Sequence, residues 1–179
     1  MKKSLRIIGL IILGFIALLL VVMLCLGTKY HFEKSMVIKS SPDKIYPYIS
    51  SMDKFNEWNP WMDLDPQVKV TYHRERGKIG DRYCWKGNKD AGVGCHEITA
   101  LVPNRSQKNT MFFEEPFQSK ATSDIILVPI SSNETKITWT MDCDLEYPMN
   151  LMKLFMDKEM DKSYTKGLNK LKELVETGN

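Results

Sequence analysis

The chain has 179 residues, with 25 Lys and Arg against 22 Asp and Glu, so its formal net charge at pH 7 is +3. Lys2, Lys3 and Arg6 account for the whole excess, and residues 28–179 are electrically balanced. A balanced domain has no basic surface on the scale that nucleic acid binding requires. The apolar and aromatic content excludes a disordered chain, and four cysteines are too few for a disulfide scaffold.

The chain begins with six residues that we expect to form a basic cytoplasmic tail, followed by an uncharged apolar run over residues 7–27. A helix of this length spans roughly 30 Å, the thickness of a hydrocarbon core. Basic flanks stay in the cytoplasm, so we predict a single-pass membrane protein whose domain, residues 28–179, is extracytoplasmic. A cleaved signal peptide is the alternative, although this run is long for one and ends without a small-x-small site.

The elements predicted for the domain are a strand, two short helices, six further strands and a long helix. Apolar residues alternate over 30–38, as in a half-buried strand. Pro42 begins a short helix, and a second short helix, around Asp53 to Trp58, ends before an Asn-Pro pair. Turn residues separate the six strands, which we place at 67–73, 80–86, 93–102, 108–114, 117–128 and 135–144.

The last predicted element is a long amphipathic helix that begins after Pro148. Its apolar residues recur at steps of three and four and form one face: Met149, Met152, Met156, Met160, Tyr164, Gly167, Leu168, Leu171 and Leu174. A helix with one apolar face needs a sheet to cover it, and short turns favour antiparallel strands. The sequence thus predicts an α+β fold in which a curved antiparallel sheet of about seven strands surrounds the helix.

Several segments resemble the SRPBCC superfamily, the START-like or polyketide cyclase/dehydrase-like proteins with the helix-grip fold. They include residues 41–46 after the first strand, the Trp-Asn-Pro-Trp segment at 58–61, and the Met149–Leu174 helix. The similarity covers about Tyr30 to Val175, and members with an N-terminal membrane helix form a bacterial subgroup. The resemblance implies a deep cavity that holds a hydrophobic small molecule or lipid. It implies no single reaction, since this fold hosts binders, transfer proteins and enzymes.

A symmetric turn at Lys89-Asp90 predicts the register of the second and third strands in the series. Cys84 then lies opposite Cys95 on the face that we expect to be solvent-exposed. Outside the cytoplasm a cross-strand disulfide is possible there, and two free thiols are the alternative. Tyr83 lies opposite His96 on the inward face, and a slip of one residue would exchange the two faces.

Residues from several elements are candidates to bind the hydrophobic ligand. Small residues share a face of the strand at 117–128, and we expect unfilled volume along it that methionines of the long helix close. The candidate ligand-binding residues are Trp58, Trp61, Tyr72, Tyr83, Trp85, His96, Phe117, Trp139, Met141, Met149, Met152, Phe155 and Met156. The alternative is that these side chains fill an ordinary core, with Trp58 and Trp61 packing a tight turn.

His96, assisted by Tyr83, is the candidate for acid–base chemistry, because an inward histidine in an apolar wall can have a shifted pKa. A structural histidine is the alternative. The sequence contains no phosphate-binding glycine loop, zinc-protease motif or serine-hydrolase motif, and we expect no cofactor and no metal. The favoured function is a membrane-anchored binding module, and the alternatives are a cyclase or dehydrase that uses His96 and a ligand-free structural or interaction module.

Overall fold

The computed structural model describes residues 2–178, and its elements follow the predicted order. The predicted strand boundaries differ from the observed ones by no more than three residues. The elements are α1 (Lys2–Leu26), β1 (Lys29–Ile38), α2 (Pro42–Ile49), α3 (Met52–Trp58), a 3-10 helix (Pro60–Leu64), β2 (Lys69–His73), β3 (Arg82–Lys86), β4 (Val93–Val102), β5 (Ser106–Glu115), β6 (Ser119–Ser131), β7 (Glu134–Asp144), a second 3-10 helix (Met149–Met152) and α4 (Lys153–Thr177).

The strands form one antiparallel sheet of seven strands in the order β1-β7-β6-β5-β4-β3-β2, which confirms the predicted architecture. The register predicted for β3 and β4 is also confirmed, with Tyr83 opposite His96 on the buried face. Cys84 and Cys95 are joined by a disulfide on the other face, with their Cα atoms 4.0 Å apart. Cys95 is nevertheless buried, because it lies on a central strand between Cys84 and Phe112.

A buried carboxylate fixes α3, the second of the two short helices that follow β1. Oδ2 of Asp81 accepts hydrogen bonds from the backbone N–H of Met52, the first residue of α3, at 3.0 Å and of Gly77 at 2.9 Å. A carboxylate oxygen at the first turn of a helix accepts hydrogen bonds from N–H groups that have no partner within the helix. Its negative charge also complements the helix dipole. Asp81 thereby holds α3 against the β2–β3 loop, and this position brings Phe55 and Trp58 over the sheet.

Aromatic side chains fill the space between the middle of the sheet and α4. Trp139 of β7 stacks on Tyr164 of α4 with ring centroids 4.1 Å apart, and Trp58 meets Trp139 edge-on at 4.9 Å. The backbone of α4 approaches closely at Gly167, where a Cβ atom would lie 3.0 Å from both Pro60 and Trp139. The helix is therefore held by close packing of large rings around a glycine.

The predicted apolar face of the last helix is buried only in its C-terminal half. The buried residues of α4 are Tyr164, Gly167, Leu168 and Leu171. Met152 and Phe155, which we expected to help close a cavity, are exposed instead. Phe155 precedes Tyr164 by nine residues, which at about 100° per residue places it on the opposite side of the helix.

The C-terminus of α1 is hydrogen-bonded to the start of α4. Nδ2 of Asn150 donates to the carbonyl oxygens of Met23 at 2.6 Å and Gly27 at 3.0 Å. Nζ of Lys153 donates to those of Leu26 at 2.9 Å and Gly27 at 3.1 Å. The last carbonyl groups of a helix lack intrahelical partners, and a cation there also complements the helix dipole. These bonds fix the end of α1 to one end of the domain.

Leu168→Ala tests the packing of α4 on the sheet. We expect it to lower the free energy of unfolding by about 2–4 kcal/mol, because Leu168 is fully buried and its removal leaves a cavity. The matched variant Leu154→Ala, in the exposed first turn of the same helix, should change it by less than about 0.5 kcal/mol. Denaturant unfolding of the detergent-solubilised chain measures both, and equal losses would contradict this packing.

Candidate functional site

An open cleft lies at the end of the sheet where β1 begins and β7 ends. Its volume is about 1320 Å³. The first residues of β1, the β5–β6 hairpin, the last residues of β7 and the 3-10 helix before α4 bound it. The same 3-10 helix carries Asn150, which is bonded to α1. The cleft therefore lies at the end of the domain that contacts α1.

The cleft combines an apolar wall with a charged rim. The apolar residues are Tyr30, Phe113, Pro116, Phe117, Ala121, Leu145, Tyr147, Met149 and Met152. The charged residues are Lys29, Glu114, Glu115, Lys120, Asp142, Asp144 and Glu146. A concave apolar surface with a few polar groups at its edge is typical of sites that bind small molecules.

Small side chains on β6 leave this volume unfilled. Ser119 and Ala121 line the cleft, and Ala121 stands opposite Cys143 of β7 on the inner face of the sheet. The sequence pattern predicted unfilled volume along this face of β6, with methionines beside it. Met149 and Met152 do line the cleft, although they lie in the 3-10 helix that precedes α4.

Two titratable groups on the inner wall stay uncharged near neutral pH. The hydroxyl of Tyr30 donates a 2.9 Å hydrogen bond to Oδ1 of Asp157. Burial raises the pKa of Tyr30, and the hydrogen bond and charge of Asp157 raise it further. Burial likewise raises the pKa of the Cys143 thiol, and the negative charges of Asp144 and Asp142 add to this effect. A protonated thiol is a poor nucleophile, so the raised pKa works against nucleophilic chemistry at Cys143.

His96 lies in the interior, away from the cleft lining. Its Nε2–H donates to Oδ1 of Asn109 at 2.6 Å, since Nδ2 of Asn109 itself donates to Oε1 of Gln107. The ring centroids of Phe55 and Tyr83 lie 5.2 Å and 5.6 Å from that of His96. Burial lowers the pKa of His96 to about 4, against the opposing effect of the bond to Asn109. The imidazole is therefore neutral at neutral pH.

Tyr83 is also buried. Its hydroxyl oxygen accepts a 3.1 Å hydrogen bond from Nδ2 of Asn59, and burial raises its pKa. The structure therefore places His96 and Tyr83 in the interior, and neither side chain lines the cleft. The physical reason is α3, whose Phe55 packs over this part of the sheet and separates it from the open volume.

The predicted ligand-binding residues are found in three places. The cleft is lined by Phe117, Met149 and Met152. The core and the side chains packed against it include Trp58, Trp61, Tyr83, Trp85, His96, Trp139 and Met141. The surface or its margin contains Tyr72 on β2, and Phe155 and Met156 in the first turns of α4. The structure therefore distributes the thirteen candidates between the cleft, the core and the surface, and aromatic rings fill the middle of the fold.

Several cleft residues were missed by sequence reasoning. Tyr30 belongs to the alternating pattern of β1, which could have placed it on the inner face. Phe113 could have been found from its partner Ser119 once the β5–β6 register was known. Leu145 and Tyr147 lie in the loop after β7, where no periodic pattern indicates which side chains face the cleft.

The curved sheet around a C-terminal helix, with an opening at one end, defines a protein of the helix-grip class, the SRPBCC superfamily. Solved structures share this fold. Ara h 8.0201 is 15% identical over 83% of this chain and 99% of its own, with a TM-score of 0.59. The Aha1 dimer from Colwellia psychrerythraea is 18% identical over 84% and 98%, with a TM-score of 0.56. StfQ, a di-domain ARO/CYC from the steffimycin biosynthetic pathway, is 12% identical over 84% and 51%, with a TM-score of 0.61.

A family model assigns the chain to one family within this fold class. The family model described as "Polyketide cyclase / dehydrase and lipid transport" matches residues 29–176, and the chain belongs to this family. This match confirms the resemblance proposed from the sequence. No curated protein matches the chain in sequence.

The burial of His96 predicts a loss of stability in mild acid. In the unfolded chain histidine has a pKa of about 6.5, whereas in the folded protein that of His96 is about 4. Between these values the unfolded state binds more protons, so the free energy of unfolding falls as the pH is lowered through this window. At pH 4.5 the contribution of His96 to this loss should reach about 2–3 kcal/mol.

The measurement is denaturant unfolding of the detergent-solubilised chain at pH 7 and pH 4.5. His96→Gln should remove this part of the difference between the two pH values, because glutamine does not titrate. His73→Gln, at an exposed position on β2, should retain the wild-type difference. A wild-type pH dependence in His96→Gln would show that this histidine is not held neutral by burial.

Proposed function

We propose that this protein is a membrane-anchored binding protein that holds a hydrophobic small molecule or lipid in the cleft. The observation that carries the proposal is the position of the cleft. Its apolar wall lies at the end of the domain that Asn150 and Lys153 fasten to α1. The description of the family, which includes lipid transport, supports a ligand of this kind.

The charges on the rim favour a particular kind of polar group on the ligand. Five carboxylates and two lysines lie there, and one lysine, Lys29, is bonded to Asp144 at 2.8 Å. The resulting negative potential opposes a carboxylate or phosphate at the mouth of the cleft. We therefore favour a ligand with an apolar body and an uncharged or cationic end.

Helix α1 supports the proposed anchor. Within Arg6–Leu26, a window of 18 residues has a mean hydropathy of 3.3, and none of this window is buried in the protein. Basic residues precede it, so the N-terminus would be cytoplasmic and the domain extracytoplasmic. Cleavage as a signal peptide is the alternative, and it would remove Met23 and Leu26, the hydrogen-bond acceptors of Asn150 and Lys153. These contacts favour retention of α1.

A cyclase or dehydrase is the second candidate, because the family description names both activities and StfQ is described as an ARO/CYC. In this chain it would depend on His96 assisted by Tyr83. Both are buried beneath α3 and uncharged at neutral pH, and neither lines the cleft. The geometry therefore favours binding over catalysis, and the unfilled volume disfavours a module without a ligand.

Ser119→Trp tests the cleft as the binding site. Ser119 lines the cleft and is exposed, so an indole there should occupy the volume without unfolding the domain. Ser131→Trp is the matched control at the other end of β6, also exposed and outside the cleft lining. Native mass spectrometry of the detergent-extracted chain should show a bound small molecule in the wild type and in Ser131→Trp. Its occupancy in Ser119→Trp should be at least about tenfold lower.

The same spectra give the mass of the bound molecule, which distinguishes an uncharged or cationic amphiphile from an anionic one. Equal occupancy in the two tryptophan variants would place the ligand elsewhere. A wild-type protein that carries no small molecule in freshly extracted membranes would contradict the proposed function.

The disulfide tests the location of the domain. In an oxidising compartment outside the cytoplasm, Cys84 and Cys95 should be protected from maleimide when cells are quenched with acid and the denatured chain is alkylated. Cys25 and Cys143, the free thiols, should react in the same sample and serve as the internal control. Reaction of all four cysteines in the full chain would place the domain in a reducing compartment.

A further inference from the structure

Five large apolar side chains are exposed at the end of the domain that contacts α1. Phe117 and Phe155 expose 62% and 75% of their surface, and Tyr147, Met152 and Leu154 are each about half exposed. Phe117, Tyr147 and Met152 line the same cleft, and Leu154 and Phe155 come after Met152 and Lys153 in the chain. We call these five residues the apolar tip. Grouped exposure of this kind marks an interaction surface, whereas single exposed apolar residues need no explanation.

Among the described residues of the domain, the buried core does not cover the apolar tip. Phe155 points away from the face of α4 that is buried by Tyr164 and Leu168, as its position nine residues before Tyr164 requires. Phe117 lies in the loop between β5 and β6, beyond the ends of both strands. A rotation of these side chains would not bury them in the existing core, whose interior is filled by aromatic rings.

Hydrogen bonds fix the level of the tip relative to α1. The span Arg6–Leu26 has 21 residues, and at 1.5 Å per residue it is about as long as a hydrocarbon core is thick. Leu26 therefore lies at the boundary of that core, and Nζ of Lys153 is bonded to its carbonyl oxygen. Phe155 lies two residues beyond Lys153 along α4, a rise of about 3 Å along the helix axis. The headgroup region extends roughly 5–7 Å beyond the core, and the bonds of Asn150 and Lys153 keep this end of α4 next to it.

We infer that the apolar tip is inserted into the interfacial region of the membrane that α1 spans, on the side where the domain lies. Aromatic side chains are favoured at that depth, where an apolar ring meets a polar surrounding. The occupant of this surface is lipid, because the bonds of Asn150 and Lys153 to α1 hold the tip at the level of the headgroups. The mouth of the cleft then opens onto the leaflet, and a lipid can enter it without crossing bulk water.

This inference rests on the proposed anchor and adds a second, separate membrane contact. Nitroxide spin labels test it on the full chain in vesicles of phosphatidylcholine and phosphatidylglycerol. Labels at Phe117→Cys and Phe155→Cys, in a Cys25→Ala and Cys143→Ser background, report the tip. Ile130→Cys is the matched control, since Ile130 is an exposed apolar residue at the far end of β6. Phe15→Cys, in the middle of α1, reports the anchor.

Power saturation compares the accessibility of each label to oxygen, which concentrates in lipid, and to a water-soluble nickel chelate. The labels at 117 and 155 should be at least about fivefold less accessible to nickel than the label at 130, as expected for side chains at interfacial depth. A label at 15 that is shielded from nickel, together with labels at 117 and 155 that are as accessible to nickel as the label at 130, would support the membrane anchor and contradict the insertion of the apolar tip. If the label at 15 is itself open to nickel, the anchor and the inference both fail.

A second copy of the chain on the tip would also shield these labels, and it has a different signature. Dipolar broadening between labels at 155 that disappears on dilution with unlabelled protein would assign the surface to self-association and overturn the inference. Thermal unfolding of each labelled variant, followed by circular dichroism, checks that the domain remains folded. Because all the labelled positions except Phe15 are exposed on the domain surface, we expect wild-type unfolding curves.

Discussion

The rest of the domain depends on the stacking of Trp139 on Tyr164. This contact joins β7 to α4 and gathers Trp58 and Trp61 around it. Large rings need space, and the helix supplies it at Gly167, where any side chain would meet Trp139 and Pro60. The result is an interior filled in its middle, with unfilled volume remaining where the rings end and small residues of β6 begin.

This distribution of volume bears directly on function. In the region of His96, the ring of Phe55 from α3 already makes close contact, and the buried polar side chains of His96, Asn109 and Gln107 are joined by hydrogen bonds. The open cleft instead lies beside the end of α1, whose carbonyl groups Asn150 and Lys153 satisfy. The packing of the core leaves an apolar cleft open at one end of the domain. The hydrogen bonds to the last carbonyl groups of α1 fix that helix at the same end.

The sequence and the structure agree wherever a local pattern has one structural meaning. A period of two with a symmetric turn predicted the register of β3 and β4, including the burial of Tyr83 and His96 and the pairing of Cys84 with Cys95. The same logic failed for the candidate site, because inward orientation does not separate a cavity wall from a packed core. Trp58 and Trp139 face inward as predicted, and they fill the core. Phe117 and Met152 line the cleft, and they are largely exposed.

The sequence by itself determined the apolar span, the order of the elements and the inward faces of β3, β4, β6 and β7, because each follows from local periodicity, charge or turn residues. The family followed from the resemblance of several segments. Only the tertiary structure decided where the interior is filled and where it is open. That outcome depends on the summed volumes of side chains from α3, β7 and α4, which are far apart in the chain. It also depends on the loop after β7, whose Leu145 and Tyr147 have no pattern to predict their direction. The extent of burial along α4 was likewise decided by where the sheet ends, which the helical pattern alone does not contain.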